Sequence, residues 1–397
     1  MNIRVILVDL LGEPWGEIIG VVAQLFGLLT ALSIVVLSMI WFERKMLGRI
    51  QRRMGPMRVG FHGLLQPVAD AIKLILKEDL VPSWADKGIF WIAPLVVFAP
   101  SFMIWVTIPF TRELVIENMD MGLFYIIAFA VLSIAGLVMA GWGSASKYAT
   151  LGGLRAAAQL ISYEIPIIMS VVAVAMLSQS LDLSTIVGNQ RTVPYAVLQP
   201  LGLAIFLVAG IAEVGRTPFD IYFAESEISG GPLVEYSGAH FSIFYLAEYI
   251  NTFAVAVLVA LLFLGGWTFP LMPDASWLGF LWVCLKAYVI IAVIFWIRGT
   301  FPRLRVDQLM SFAWKGLIPL SFINIGITAV YLFYGWPGWA LATTSSAITI
   351  GAGYFAYRRL THPALKSAEE LLARARAYHK PNSKQTTVNT SEVGHAG

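Results

Sequence analysis

The sequence predicts an all-α, polytopic transmembrane helix bundle with nine spans, or eight, plus an interfacial amphipathic helix. The first observation is composition: of 397 residues, 58% are hydrophobic and 13% are charged, whereas soluble domains average about 25% charged residues. The second is that apolar stretches of about 20 residues, long enough to cross a bilayer, recur as far as residue 357. The third is an uneven distribution of basic residues between alternate loops. A chain with these properties needs lipid as its solvent.

Nine apolar stretches qualify as spans. They lie at residues 18–42, 90–110, 122–142, 160–178, 196–214, 243–265, 279–298, 317–335 and 339–357. Only the short turn 335–338 joins the last two, so eight spans with a re-entrant or peripheral ninth segment is the alternative. We expect residues 1–360 to form the transmembrane domain and the polar tail 361–397 to be largely disordered.

The basic residues set the orientation. If the loops alternate sides, one side with the C-terminal tail holds 23 Lys and Arg residues, and the other side holds only Arg4, Arg112 and Arg191. Cytoplasmic loops are enriched in Lys and Arg. The N-terminus is therefore predicted to lie outside and the C-terminus in the cytoplasm, and the basic side is called the predicted inner side below.

The stretch 62–78 is too short and too charged to span. Leu65, Val68, Ile72 and Ile75 recur in it at helical spacing, and the charged residues fall on another face. This pattern predicts an amphipathic helix on the inner side. Two interpretations remain open, since the helix could lie in the membrane interface or pack on a partner protein.

Several classes of site are not expected. Cys284 is the only cysteine, which excludes an intrachain disulfide and a cysteine-ligated cluster or zinc site within this chain. All five histidines lie outside the predicted spans, so neither a haem between helices nor a metal is expected. Gly351-Ala352-Gly353 mimics a dinucleotide fingerprint but sits in an apolar span with no preceding strand, which favours close helix packing.

Three carboxylates stand near the predicted inner ends of consecutive spans, namely Glu164, Glu213 and Glu248. Ionisable groups within spans are costly and are usually functional. Carboxylates that share a buried site can exchange protons near neutral pH, as a proton relay requires. The alternative is that each lies in headgroup water or pairs with an inner arginine. Lys286 lies deeper and is expected either to pair with an acid or to extend outward to water.

The acidic loop, residues 213–237, is a second unusual feature. It carries five acids against the single base Arg216, which opposes the usual basic character of inner loops. A proton path or docking onto a basic partner would explain it. The loop that begins at Arg298 supplies bases that could act as counter-charges.

These inner segments resemble a known family. ERKMLGRIQRRMGP, GLLQPVADAIKLILKE, GGLRAAAQLISYEIP, EVGRTPFD, AESE, EYSG, LAEYIN and RVDQLMSFAWKGLIPL follow in this order from about residue 41 to 320. They are similar to the H subunit of bacterial NADH-quinone oxidoreductase, which is the first subunit of complex I in mitochondria. A subunit of membrane-bound hydrogenases shares some of these features, but ERKMLGR through LLQPVADAIK fits the quinone enzymes better.

The resemblance implies a membrane subunit of a proton-translocating NADH:quinone oxidoreductase of the respiratory chain, with no complete active site on this chain alone. It implies a share of the quinone chamber for Glu43, Arg44, Arg53, Arg216, Phe219, Asp220, Arg298 and Arg303. It implies a proton path through Asp70, Glu164, Glu213, Glu225, Glu227, Glu235 and Glu248.

The resemblance also implies cofactors, partners and location. The substrate would be a quinone such as ubiquinone, and flavin and iron–sulfur clusters would be bound by partner subunits rather than by this chain. The partners would be the peripheral-arm iron–sulfur and quinone-site subunits, small membrane subunits and antiporter-like subunits, together with membrane lipid and no nucleic acid. The location would be a bacterial inner membrane. Two alternatives from other classes are a stand-alone proton-coupled transporter and a passive anchor for a soluble redox complex.

The acidic loop departs from the family pattern. After Thr217-Pro218-Phe219 the family usually reads D-L-P-E-A-E-S-E, whereas this chain reads DIYFAESE. Phe223 replaces an acid, and Tyr222 replaces a proline or small residue. Either that carboxylate is dispensable or a neighbouring acid takes its place. Pro232 also stands where an aromatic residue is common.

Overall fold

The computed structural model describes residues 15–268, 276–356 and 358, and these residues contain no β-strand. The predicted all-α class is therefore confirmed for the described part of the chain. The helices are α1 Trp15–Ile50, α2 Gln66–Leu76, α3 Lys87–Met103, α4 Gly122–Gly143, α5 Lys147–Ser178, α6 Leu183–Asn189, α7 Tyr195–Leu198, α8 Pro200–Glu213, α9 Glu225–Ile228, α10 Gly238–Leu262, α11 Ser276–Thr300, α12 Val306–Phe312 and α13 Ile318–Tyr334. Residues 338–356 are helical as well.

Within the described residues, seven helical segments are long and apolar enough to cross a membrane. They are α1, α3 extended to Val106, α4, α5, α10, α11 and the continuous segment Val306–Tyr334. The predicted span 196–214 instead forms α8, which has 14 residues and is shorter than a usual span. The multi-pass helical architecture is confirmed, and the count of nine, or eight, stays a prediction.

The chain divides into two compact units, residues 1–345 and 346–397. The second unit is helical from 346 to 356. Gly351-Ala352-Gly353 lies within this helix, and no strand precedes it in the described part of the chain, which agrees with setting the dinucleotide interpretation aside. The predicted tail, 361–397, and residue 357 of the last predicted span lie outside the described residues.

Helix α10 is the centre of the first unit. Its second half is apolar all round and almost wholly buried, as expected of a helix enclosed by others. It contacts α1, α2, α3, α8 and α11. Trp105 packs against Phe253 of α10 with ring centroids 4.9 Å apart. This central position takes Glu248, one turn before the fully apolar half, into the interior of the bundle.

The start of α10 differs from the prediction. His240 was expected to precede the span but lies in the first helical turn and is buried. Its ring pairs with Asp79 and meets Trp91 edge-on at 4.3 Å between centroids. A buried histidine is tolerated here because a carboxylate accepts from its ring N–H. The pair ties the segment after α2 to the central helix.

Helix α2 forms within the stretch predicted to be amphipathic. Its Asp70 side chain faces Arg44 of α1, while Leu65, Ile72 and Ile75 on the other side are 53%, 52% and 65% exposed. Such a row of exposed apolar side chains is expected to be covered. The membrane interface and a partner protein both remain predictions for what covers it.

Lys286 does neither of the two things the sequence suggested. Its ammonium donates to the backbone carbonyl oxygens of Leu264, Gly266 and Thr268, at 2.7, 2.6 and 3.2 Å. These carbonyls follow the end of α10 and have no helical partner. Gln190 donates nearby to the carbonyl of Leu261 at 2.8 Å. The lysine therefore caps the chain as it leaves the central helix.

Replacing Lys286 with methionine is expected to destabilise the assembled protein by about 2 kcal/mol or more, because charged hydrogen bonds are lost and carbonyls are left without donors. The measurement is the temperature at which the purified complex loses this subunit. Lys87→Met, at an exposed lysine, is the control and should change little. Equal thermal shifts for the two variants would contradict the capping role.

Candidate functional site

A chain of ion pairs crosses the predicted inner end of the bundle. Arg298 donates to Glu43, whose Oε1 lies 3.9 Å from Nη1 of Arg216. Nη2 of Arg216 lies 3.3 Å from Oε1 of Glu248. The Arg216 side chain is buried and stands 4.4 Å above the ring of Tyr249. Alternating charges thus run from α11 through α1 and the acidic loop to α10.

The tyrosine ring is part of this arrangement. The hydroxyl of Tyr249 donates to Oε2 of Glu43 at 2.6 Å, and the hydroxyls of Tyr245 and Tyr249 lie 3.1 Å apart. Glu43 is buried, and a buried carboxylate is stable only when its oxygens are satisfied in this way. Sequence reasoning missed both tyrosines, whose signal was their position at i+1 and i−3 from Glu248 on a buried helix.

An open groove of about 430 Å³ lies beside these ion pairs. Arg303 pairs with Asp220 in it, Nη2 to Oδ2 at 2.9 Å. Four residues of the implied quinone chamber line the groove, namely Arg216, Asp220, Arg298 and Arg303. The groove therefore combines several fixed charges with apolar walls, which suits a ligand with a polar head and an apolar body.

A second, internal cavity of about 100 Å³ lies between the helices. Its lining is apolar except at a few positions, among them Glu164, Glu213 and Glu248. The three carboxylates found in the sequence therefore reach one cavity. Glu164 Oε1 and Asn251 Oδ1 are buried there without a hydrogen-bond partner. Asn251 was not singled out from the sequence, because an amide one turn from Glu248 carries no distinct pattern.

Glu164 occupies an unexpected place along its helix. The sequence placed it near the start of a span at 160–178, but α5 begins at Lys147. The carboxylate thus lies near the middle of a 32-residue helix. Gln159, one turn earlier, donates to the carbonyls of Ala212 and Phe219 at 2.8 and 2.7 Å, and so joins α5 to both ends of the segment that carries Glu213.

The acidic loop is held by close backbone packing. A Cβ at Gly231 would stand 1.7 Å from the carbonyl oxygen of Tyr222, and a Cβ at Gly215 would stand 2.0 Å from the Tyr222 hydroxyl. Both glycines have positive φ, 63° and 68°, which favours glycine. Tyr222 is 3% exposed. The loop is therefore fixed around this tyrosine.

Two residues of the implied sets form a separate pair outside the spans. Arg44 donates to Asp70 of α2. Burial raises the pKa of the Asp70 carboxyl, but the hydrogen bond and charge of Arg44 outweigh burial, so the pKa is held below its usual value. Neither residue lines the groove or the internal cavity. The pair links α1 and α2.

The remaining residues of the implied sets lie apart from both cavities. Arg53 is exposed and donates to Gln51 at 2.6 Å. Phe219 is buried against Tyr163, with ring centroids 5.5 Å apart. Glu227 accepts from Arg155 at 2.6 Å. The rest of the set comprises Glu235, which is half-buried, and Glu225, whose side chain lies outside the described residues.

The fold and the site define an integral membrane protein that buries ion pairs and unpaired carboxylates at one end of its helix bundle. The described residues contain no group of three or more His, Cys, Asp or Glu side chains placed to hold a metal ion. Residues 23–329 match the model of the NADH dehydrogenase family. The chain belongs to this family.

Relatives that this chain matches over most of their length carry one name. The NADH-quinone oxidoreductase H subunit of Dehalococcoides mccartyi strain 195 is 46% identical over 319 residues, which cover 80% of this chain and 88% of the relative. The same subunit of Brevibacillus brevis is 47% identical over 81% of this chain and 95% of its own. That of Geobacillus kaustophilus is 49% identical over 78% and 94%. The resemblance and the expectation of a subunit of an enzyme complex are confirmed.

Proposed function

We propose that this chain forms part of the quinone chamber of an NADH-quinone oxidoreductase and couples quinone reduction to proton translocation through its buried carboxylates. The observation that carries the proposal is that the groove and the internal cavity share Glu248. Three arginines line the groove. They suit a substrate that becomes negatively charged as it is reduced.

The coupling step is electrostatic. An anionic quinone species in the groove would attract Arg216 and Arg298, which are the partners of Glu248 and Glu43. Two charges about 4 Å apart interact by about 4 kcal/mol at an effective dielectric of 20, and one pKa unit corresponds to about 1.4 kcal/mol. A charge in the groove is thus large enough to change the protonation of Glu248, and through it that of Glu213 and Glu164.

The proposal includes partners and location. Electrons would arrive from flavin and iron–sulfur clusters on peripheral-arm subunits, and protons would pass on toward small membrane and antiporter-like subunits of a bacterial inner membrane. Gentle solubilisation and purification through this chain should recover flavin, iron–sulfur clusters and inhibitor-sensitive NADH:quinone activity. A stand-alone transporter would be active without them, and a passive anchor would tolerate loss of the membrane carboxylates.

Glu213→Gln in the assembled enzyme tests the coupling. The change keeps the shape of the side chain and removes its proton exchange, so we expect proton pumping in vesicles to fall severely while the complex still assembles. Glu117→Gln, at an exposed acid of a predicted outer loop, is the matched control and should pump normally. Normal pumping with normal quinone reduction in Glu213→Gln would refute the coupling role.

A further inference from the structure

We propose that Phe223 is an apolar seal between the groove and the internal cavity, so that protonation changes pass between them through Glu248. This inference deepens the proposed function and rests on it for its meaning, although the seal itself is a property of the fold. Phe223 and Glu248 are the two residues that line both cavities.

The two shared residues have opposite chemistry. Glu248 can bind and release a proton, and its Oε1 lies 3.3 Å from the guanidinium of Arg216 in the groove. A phenyl ring has no group that can pass a proton or hold a water molecule. The opening between the cavities is therefore bordered by one side chain that conducts protons and one that excludes water.

The position of the Phe223 ring is fixed by its neighbours. It packs on the ring of Tyr222, with centroids 4.4 Å apart, and against the buried cluster that includes Tyr236 and Phe244. Tyr222 is in turn held by the close approach of Gly215 and Gly231. A ring held on several sides cannot swing aside without moving the acidic loop.

The seal matters because of what lies behind it. The internal cavity contains buried oxygens of Glu164 and Asn251 without protein partners. Its volume of about 100 Å³ is room for about three water molecules at roughly 30 Å³ each. If groove water entered freely, these acids would equilibrate with the inner aqueous phase. A seal makes their protonation depend on Glu248, whose charge depends on the groove.

Thiol labelling tests the seal without relying on enzyme activity. In a Cys284→Ser background, a cysteine is introduced either inside, by Ser101→Cys, or in the groove, by Ser229→Cys. Ser101 is fully buried and lines the internal cavity, whereas Ser229 is exposed and lines the groove. The probe is the cationic reagent 2-aminoethyl methanethiosulfonate, added to the predicted inner side of membranes that contain the assembled enzyme. Modification is followed by mass spectrometry.

We expect the inside cysteine to react at least about tenfold more slowly than the groove cysteine, because its labelling waits on rare openings. Adding Phe223→Ala should remove most of this difference, and Phe223→Leu, which keeps an apolar side chain of similar reach, should preserve it. An unchanged ratio in Phe223→Ala, or equal rates with Phe223 in place, would overturn the seal.

Proton pumping per NADH separates the seal from the proposed function. Phe223→Ala should lower this ratio and Phe223→Leu should retain it, whereas a merely structural role would lower assembly in both variants. If labelling behaves as expected but Glu213→Gln pumps normally, the seal stands and the coupling function fails. If labelling does not respond to Phe223→Ala, the seal is overturned whatever the pumping shows.

Discussion

Arg216→Met is expected to remove most of the assembled, quinone-reducing enzyme. Arg216 is 4% exposed and stands between Glu43 and Glu248. Methionine fills similar space but leaves Glu248 without its cation. Breaking a buried ion pair by removing one partner costs about 3–5 kcal/mol. The measurement is the amount of complex on a native gel together with its inhibitor-sensitive NADH:quinone activity.

A second substitution shows whether charge is the cause. Glu248→Gln added to Arg216→Met removes the uncompensated carboxylate, so assembly should recover in part although activity does not. Arg216→Lys, which keeps the charge but not the planar fork, should fall between wild type and methionine. Arg305→Met, at an exposed arginine, is the control. Normal assembly and turnover in Arg216→Met would contradict the role assigned to the ion-pair chain.

Gly231→Ala is expected to have an effect of similar size for a different reason. A Cβ at this position would stand 1.7 Å from the carbonyl oxygen of Tyr222, and φ is +63°. Gly152 of α5 also approaches so closely that its own Cβ would be 2.6 Å from Cα of Gly231. The backbone has no room to move in either direction. We therefore expect the acidic loop to lose its conformation.

The measurement for Gly231→Ala is the yield of assembled complex, with hydrogen exchange of residues 215–237 as the local readout. Gly188→Ala is the matched control, because a Cβ there meets nothing within 4 Å and alanine is the better helix former. Full yield with unchanged exchange in Gly231→Ala would show that the close packing around Tyr222 is not needed.

Apolar length and loop charge predicted the fold class well, because lipid forces each spanning segment to satisfy its own backbone within a helix. The weak points were helix ends. The helix predicted at 160–178 starts at Lys147, and His240 lies within α10 rather than before it. Hydrophobicity reports where lipid begins, whereas a helix continues into the polar region for as long as neighbouring helices support it.

The candidate site was predicted in part. The spacing of Glu164, Glu213 and Glu248 along alternating helices placed them at one level, and they do reach one cavity. Periodicity within one helix cannot show which residues of another helix face it. The roles of Tyr249 and Asn251, and the separation of Arg44 and Asp70 from the groove, depended on contacts between distant segments.

The sequence by itself determined the solvent, the helical class, the family and the acids worth testing, since each of these follows from residue type and order. Only the tertiary structure decided that Lys286 caps the chain leaving the central helix and that Arg216 joins Glu43 to Glu248. It also placed Phe223 between two cavities. Those facts depend on distances of a few ångströms between residues far apart in the chain, and such distances are set by packing rather than by local sequence.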